Sequence, residues 1–444
     1  MMLLNHRKSN EEMRVFVVLS AIILGLSFYV NLSFFFRNNP KALVFFPPFI
    51  EGVNLNHNTH LGGEYFFIAQ AIASGKGFSN PFQTDSGPTA WMPPLYCYLL
   101  ALLILIFGSK IMVAATVVLL KNIVLLGVGL MLYRVATKTT RRIPPWSVII
   151  IYVLMLLAYF RWFFQMTHDE WILLLIISTL FIGAAMLIDT PLSTRRALLW
   201  GCLGGIATLA SPIAGCVWCI VTLFGAITTR QARHILISIL LCGALCFPWM
   251  LRNYLVFNRI IFIKSNFYFD LYTSNYETED GLHKEVIVLR QHPVWTVPQG
   301  RLPEYARYGE ATFIDLYKQK FYTAVSENPA RYLSNVKNRV IAALLRYPVY
   351  GKYEKPSLFK SIVHALPFFG FIILVVRRGV FTSSWQCTAV LIYSAYLLPY
   401  MIVGYYIRYS IPLTGILCLF VLWGADIAYE CWVQGFPRAI KKPA

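Results

Sequence analysis

The chain has 444 residues, of which 57% are hydrophobic, 16% aromatic and only 13% charged; a soluble domain is nearer about 45–50% apolar and about 25% charged. An apolar excess of that size cannot be hidden inside a water-soluble core, and the same figures exclude intrinsic disorder, collagen, a small disulfide scaffold and a coiled coil. The 39 Lys and Arg against 20 Asp and Glu leave a net +19; these basic residues fall between apolar runs rather than on one patch, which fits the cytoplasmic loops of a membrane protein and not a nucleic-acid surface.

Arg7, Lys8 and Arg14 precede an apolar run from Val15 to Phe36. No small-residue cleavage site follows, so the run reads as a retained first helix. Further runs at 111–133, 144–164, 171–188, 197–211, 213–229, 234–251, 359–376, 385–403 and 409–429 bring the candidate spans to about ten. Backbone polar groups must be satisfied inside a bilayer, so all are expected to be helices. The period-2 alternation of a membrane barrel is absent. The fold class is therefore an all-α polytopic membrane protein, with residues 1–444 as one integral membrane domain.

The apolar stretch 94–107 is only about 14 residues long, which suits an interfacial or re-entrant helix better than a span. Charge tests this reading. If 94–107 does not cross and the N-terminus is cytoplasmic, the basic clusters 134–142, 195–196, 230–233, 377–378 and 438–442 all lie inside. The short outer connections then carry only Arg161 and Arg408. If it crosses, the cluster at 134–142 and those after it fall outside, against the positive-inside rule. Two large segments therefore face outward, 37–110 and 252–358. Helices lying on the membrane surface are expected in the first and, over 303–346, in the second. Most of the nine cysteines sit in apolar runs. Cys216-x-x-Cys219 has redox or zinc spacing but no second ligand pair nearby, and reads as helix packing.

Acids are scarce, so their placement is informative. Glu64 follows Gly62-Gly63, which permit tight backbone approach, and opens a short helix over 64–74 with Tyr65, Ile68 and Ile72 on one stripe and Gly75 as its stop. A carboxylate in a first helical turn is helped to stay ionised and suits a general base for a hydroxyl. Asp169 and Glu170 stand at the outer mouth of the helix near Trp171, where they are either functional or merely interfacial. Arg252-Asn253 emerge where the 234–251 helix meets the outer surface, and Arg408 stands at an equivalent mouth. Arg presents a planar fork of donors suited to phosphate.

At these residues the chain resembles the GT-C superfamily of polyprenyl-phosphate-sugar glycosyltransferases, most of all the protein O-mannosyltransferase and aminoarabinose transferase group. The resemblance covers nearly the whole chain. It rests on Glu64-Tyr65, Ala69 and Gly75-Lys76-Gly77-Phe78; on Pro88-Thr89-Ala90 and Pro93-Pro94-Leu95-Tyr96; and on Phe107-Gly108. It continues through the acid at 169–170, Gly205-Ile206-Ala207-Thr208-Leu209 with Pro212, Pro248-Trp249 with Arg252-Asn253-Tyr254 and Phe257, and Arg408-Tyr409 with Pro412. Where many members carry Arg or Asn before the Pro after span five, this chain has Ser211-Pro212.

The resemblance implies a first outer loop with membrane-parallel helices. It also implies an inverting transfer from a polyprenyl-phosphate sugar to a lipid, glycan or protein acceptor. The active site is expected on the extracytoplasmic face of the cell (inner) membrane. Glu64 best matches the family's first-loop acid, with Glu51 as a rival, and Asp169 or Glu170 matches the second. Arg252, Asn253 and Arg408 are then expected to bind the donor phosphate, and Tyr65 and His168 to position substrate. No cofactor is required, although some GT-C enzymes use a divalent metal; no compact carboxylate set here demands one. The rivals are a transporter or flippase of a lipid-linked sugar, which usually shows two related halves absent here, and a non-catalytic scaffold whose outer loop binds a partner.

Overall fold

The computed structural model describes residues 2–35, 60–82, 85–284, 292–296, 303–350, 355, 357–378 and 383–434. Glu51 and the basic cluster at 438–442 lie outside them. The helices are α1 (Met2–Phe35), α2 (Glu64–Ala73), α3 (Pro94–Phe107), α4 (Lys110–Thr139), α5 (Ser147–Ala158), α6 (Glu170–Asp189), α7 (Thr194–Ala210), α8 (Pro212–Thr229) and α9 (Ala232–Phe257). They continue as α10 (Phe267–Tyr276), the single turn α11 (Pro293–Thr296), α12 (Pro303–Glu327), α13 (Pro329–Leu344), α14 (Leu358–Arg378), α15 (Ser384–Ile402) and α16 (Thr414–Gln434). Among the described residues there is no strand, only two isolated bridges, Ser79 with Pro88 and Leu282 with Tyr405. Seven helices among them are long and apolar enough to cross a membrane.

The apolar pattern sets where these helices begin and end. α3 occupies the 14 residues Pro94–Phe107; at about 1.5 Å per residue it is about 21 Å long, short of a hydrocarbon core of about 30 Å. It starts on Pro94, whose missing N–H costs nothing there, and stops at Gly108 in the left-handed region (φ 62°). Where helices cross closely, glycine makes room: Gly201 and Gly205 on α7 meet Ser238 and Leu245 of α9. Close approach of this kind drives helix pairing where lipid offers no hydrophobic gain.

The run expected as one span at 144–164 is broken. α5 ends after 12 residues, and a five-residue π-helical turn follows at Arg161–Gln165. The physical cause lies on other helices. Lys121, buried midway along α4, donates to Phe164 O (3.1 Å) and Met166 O (2.8 Å). Asn31 of α1 donates to Phe164 O at 3.1 Å, and Tyr96 of α3 donates to Thr167 O at 2.5 Å. Irregular backbone survives in this buried position because side chains satisfy the freed carbonyls. Three helices thereby fix the stretch that leads into His168, Asp169 and Glu170.

The segment before α4 and the segment after α9 share a small aromatic core. Phe82 and Trp91 from the first pack with Phe269, Tyr305, Phe313 and Tyr317 from the second. Glu310, 3% exposed, joins them. Its carboxylate accepts from Ala90 N (2.8 Å), Ser265 Oγ (2.7 Å), Tyr305 OH (3.1 Å) and Thr89 Oγ1. Burial still pushes its pKa upward, against those donors. The role of this acid is to fasten the loops to each other.

Candidate active site

Leu61, Gly62 and Gly63 hold φ angles of 52°, 82° and 57°. A Cβ on Gly62 would stand 2.8 Å from Tyr65 Cδ2. This left-handed turn is open to glycine and costly to other residues. It reverses the chain so that α2 opens directly on Glu64, and the helix stops after Ala73 with Gly75 at φ 78°. Tyr65 and Ile68 are buried on the stripe the sequence predicts, with Ile72 partly so.

Glu64 lines a cavity of about 910 Å³ together with Tyr65, His168, Asp169, Glu170 and Arg408. The candidate acids, Tyr65, His168 and one of the two candidate arginines thus meet in one place. Tyr65 OH donates to Asp169 Oδ2 at 2.9 Å. Arg408, at the start of the 3-10 turn Ile407–Leu413 that leads into α16, reaches Glu170 Oε1 at 3.2 Å and His168 Nδ1 at 2.8 Å. His168 Nε2 lies 3.0 Å from His60 Nδ1. The Arg408 guanidinium also stacks over the Tyr406 and Tyr409 rings, 5.3 and 5.4 Å from their centroids, a geometry that favours a cation.

The wall also carries Lys264, Asp270 and His292. Lys264 Nζ stands 3.6 Å from Asp270 Oδ2, and His292 Nε2 stands 3.2 Å from Glu64 Oε1. Sequence reasoning missed all three. Lys264 alone carried a local signal, as a lone cation closing the apolar run Ile260-Ile261-Phe262-Ile263. Asp270 and His292 sit in ordinary loop composition, and only long-range folding brings them here.

Arg252 and Asn253 do not join the cavity wall. Arg252 donates to Thr89 O (2.7 Å) and Phe78 O (2.8 Å), with its guanidinium over the Phe78, Trp249 and Phe257 rings. Asn253 donates to Ile261 O at 3.0 Å, and Trp249 Nε1 donates to Ile263 O at 2.9 Å. The end of α9 therefore holds the segment before α3 with one residue and the loop preceding Lys264 with the next. These polar side chains build the site from behind, because nearby loop carbonyls need donors.

Burial governs the site's titration. It pushes Glu64 up to about 7, against its own backbone N–H and the charges of Arg408 and Lys264. Burial and Glu170 raise Asp169; burial raises Asp270. His168 and His60 are both pushed down to about 3, by burial first and then by neighbouring positive charge. Burial brings His292 down to about 4, with Asp270 opposing. All three histidines are neutral at pH 7, and Glu64 is poised between its two forms. A base whose pKa sits near the working pH is well placed for proton transfer.

Part of the wall is apolar: Leu173 of α6, Ala210 of α7, and Ile213 and Cys216 of α8 line the same cavity. The cavity thus combines charged groups with an apolar stretch of wall. Among the described residues no three His, Cys, Asp or Glu side chains converge to hold a metal ion. Comparison of the chain with protein-family models, with characterised proteins and with solved structures found no match.

Proposed function

We propose that the protein is a membrane glycosyltransferase that moves a sugar from a polyprenyl-phosphate-linked donor to an acceptor hydroxyl or amine. The observation that carries the reading is the single cavity that buried Glu64 shares with Arg408 and Lys264 and with an apolar stretch of wall. A lipid phosphate needs this pairing of cations with hydrocarbon-compatible wall, and an acceptor needs a base. About ten spans, a cytoplasmic N-terminus and a site on the extracytoplasmic face of the cell (inner) membrane complete the proposal, supported by the distribution of Lys and Arg. So does a GT-C arrangement in which α2 and α3 belong to the first outer loop.

In this mechanism the Glu64 carboxylate takes the acceptor proton as the acceptor oxygen or nitrogen attacks the anomeric carbon. The bond from that carbon to the donor phosphate breaks on the opposite face, and configuration inverts. The leaving phosphate keeps the electron pair. Arg408 and Lys264 stabilise its developing charge inside a site of low polarity, where preorganised cations act most strongly. Asp169, held by Tyr65, orients the acceptor. The acceptor is a lipid, glycan or protein.

The test is purified protein mixed with a polyprenyl-phosphate sugar and candidate acceptors, with released polyprenyl phosphate as the readout. Release that depends on the acceptor and is lost in Glu64→Gln supports transfer. Movement of the intact donor between leaflets without release would assign the protein to the flippases instead. Full transfer in Glu64→Gln would remove the base assignment.

A further inference from the structure

We propose that His292 is a positioning residue for Glu64, donating a hydrogen bond from Nε2 to one carboxylate oxygen and leaving the other to face the acceptor. The inference rests on the base assignment of Glu64 made above. It adds a residue from the second outer segment to a base carried by the first.

Geometry supports it from both ends. The Nε2 to Oε1 separation is 3.2 Å, within reach of a hydrogen bond to a carboxylate. The backbone of His292 is itself fixed: its carbonyl accepts from Thr296 N and Thr296 Oγ1, both at 3.1 Å. Its ring stands edge-on to Phe269, 6.0 Å between centroids and 86° between planes. Phe269 belongs to the aromatic core that locks the two outer segments together. A donor held this firmly removes rotational freedom from a three-bond side chain, and catalytic groups left to wander by about 1 Å lose much of their effect.

The charges around the pair are consistent with this role. Glu64 is faced by Arg408 from the turn before α16, by Lys264 from the loop after α9, by Asp169 from the turn before α6, and by Asp270 of α10. His292 is faced by Asp270, Arg408 and His283. With its pKa down at about 4, His292 is neutral at working pH. It orients the carboxylate without adding a third full positive charge, beside Arg408 and Lys264, that would weaken the base.

Two variants of the full chain in lipid nanodiscs separate positioning from mere packing. His292→Phe keeps a ring against Phe269 and removes the donor; His292→Gln keeps a donor near the Nε2 position. The first readout is the Glu64 carboxyl band followed by infrared spectroscopy against pH without substrate, identified by its loss in Glu64→Gln. Removing a hydrogen bond to the ionised form raises proton affinity, so His292→Phe is expected to move the midpoint up by about one pH unit, and His292→Gln to restore it. The second readout is transfer: kcat in His292→Phe is expected to fall about tenfold with donor KM within about twofold, and the acid limb of its pH profile to shift with the infrared midpoint. An unmoved midpoint in folded His292→Phe, or a moved one in His292→Gln, overturns the inference. The infrared titration needs no turnover. Failure of the transferase reading, seen as no acceptor-dependent release of polyprenyl phosphate by the parent protein, is therefore distinct from failure of this one.

Discussion

Replacing Glu64 by Gln is expected to stabilise the protein above pH 7 while abolishing its activity. Glu64 is 8% exposed, and burial pushes its pKa from the ordinary 4.5 to about 7. The folded state therefore holds this proton more tightly than the unfolded chain does. Below pH 4.5 both states are protonated and burial carries no ionic penalty. Between pH 4.5 and 7 the folded state loses that advantage, and above 7 the full cost of a buried charge remains. The difference, 7 minus 4.5, at about 1.4 kcal/mol per pH unit comes to about 3 kcal/mol. Glutamine keeps the shape and never ionises, so the variant and the parent should unfold together near pH 4.5 and diverge by up to that amount at pH 8. The assay is thermal unfolding of the full chain in lipid nanodiscs across this range. A stability gap that is the same at pH 5 and pH 8 would refute the reasoning. A rise in stability that accompanies loss of transfer is the signature of a charge kept in place for chemistry.

Two other substitutions separate the arginines. Arg408→Lys removes the fork that serves Glu170 and His168 and the stack on Tyr406 and Tyr409; polyprenyl phosphate release is expected to fall about 10²–10³-fold, and activity within twofold of the parent would count against a phosphate role. Arg252→Ala removes two charged hydrogen bonds to loop carbonyls, worth about 1.5–3 kcal/mol each; a marked drop in unfolding temperature with little change in donor KM is expected, and the opposite pattern would return Arg252 to the substrate.

Helix ends were legible wherever the local chain states its own stop. Pro93-Pro94 and Gly108 bound α3 as predicted, and Gly62-Gly63 and Gly75 bound α2. Asp169 and Glu170 were found because an acid beside an apolar helix is rare and therefore conspicuous. The break after α5 was illegible, since its cause is a lysine on α4 and an asparagine on α1, each unremarkable within its own run. Arg252 shows the converse. Its local setting, an arginine at a helix mouth, matches that of Arg408, and only the fold reveals that one meets loop carbonyls and the other a cavity. His292, Lys264 and Asp270 escaped for the same reason: sequence proximity says little about which loop residues converge.

The contact between Arg408 and His168 has one last consequence. A guanidinium can only give hydrogen, so His168 Nδ1 must receive it. The neutral ring of His168 then carries its own proton on Nε2 and passes that bond to Nδ1 of His60. His60 in turn is left with its hydrogen on Nε2. The row is polarised in one direction, every N–H pointing away from Arg408, and it ends in a donor with no lone pair to offer. An oxygen-rich ligand meeting His60 finds a partner there, and an ammonium group does not.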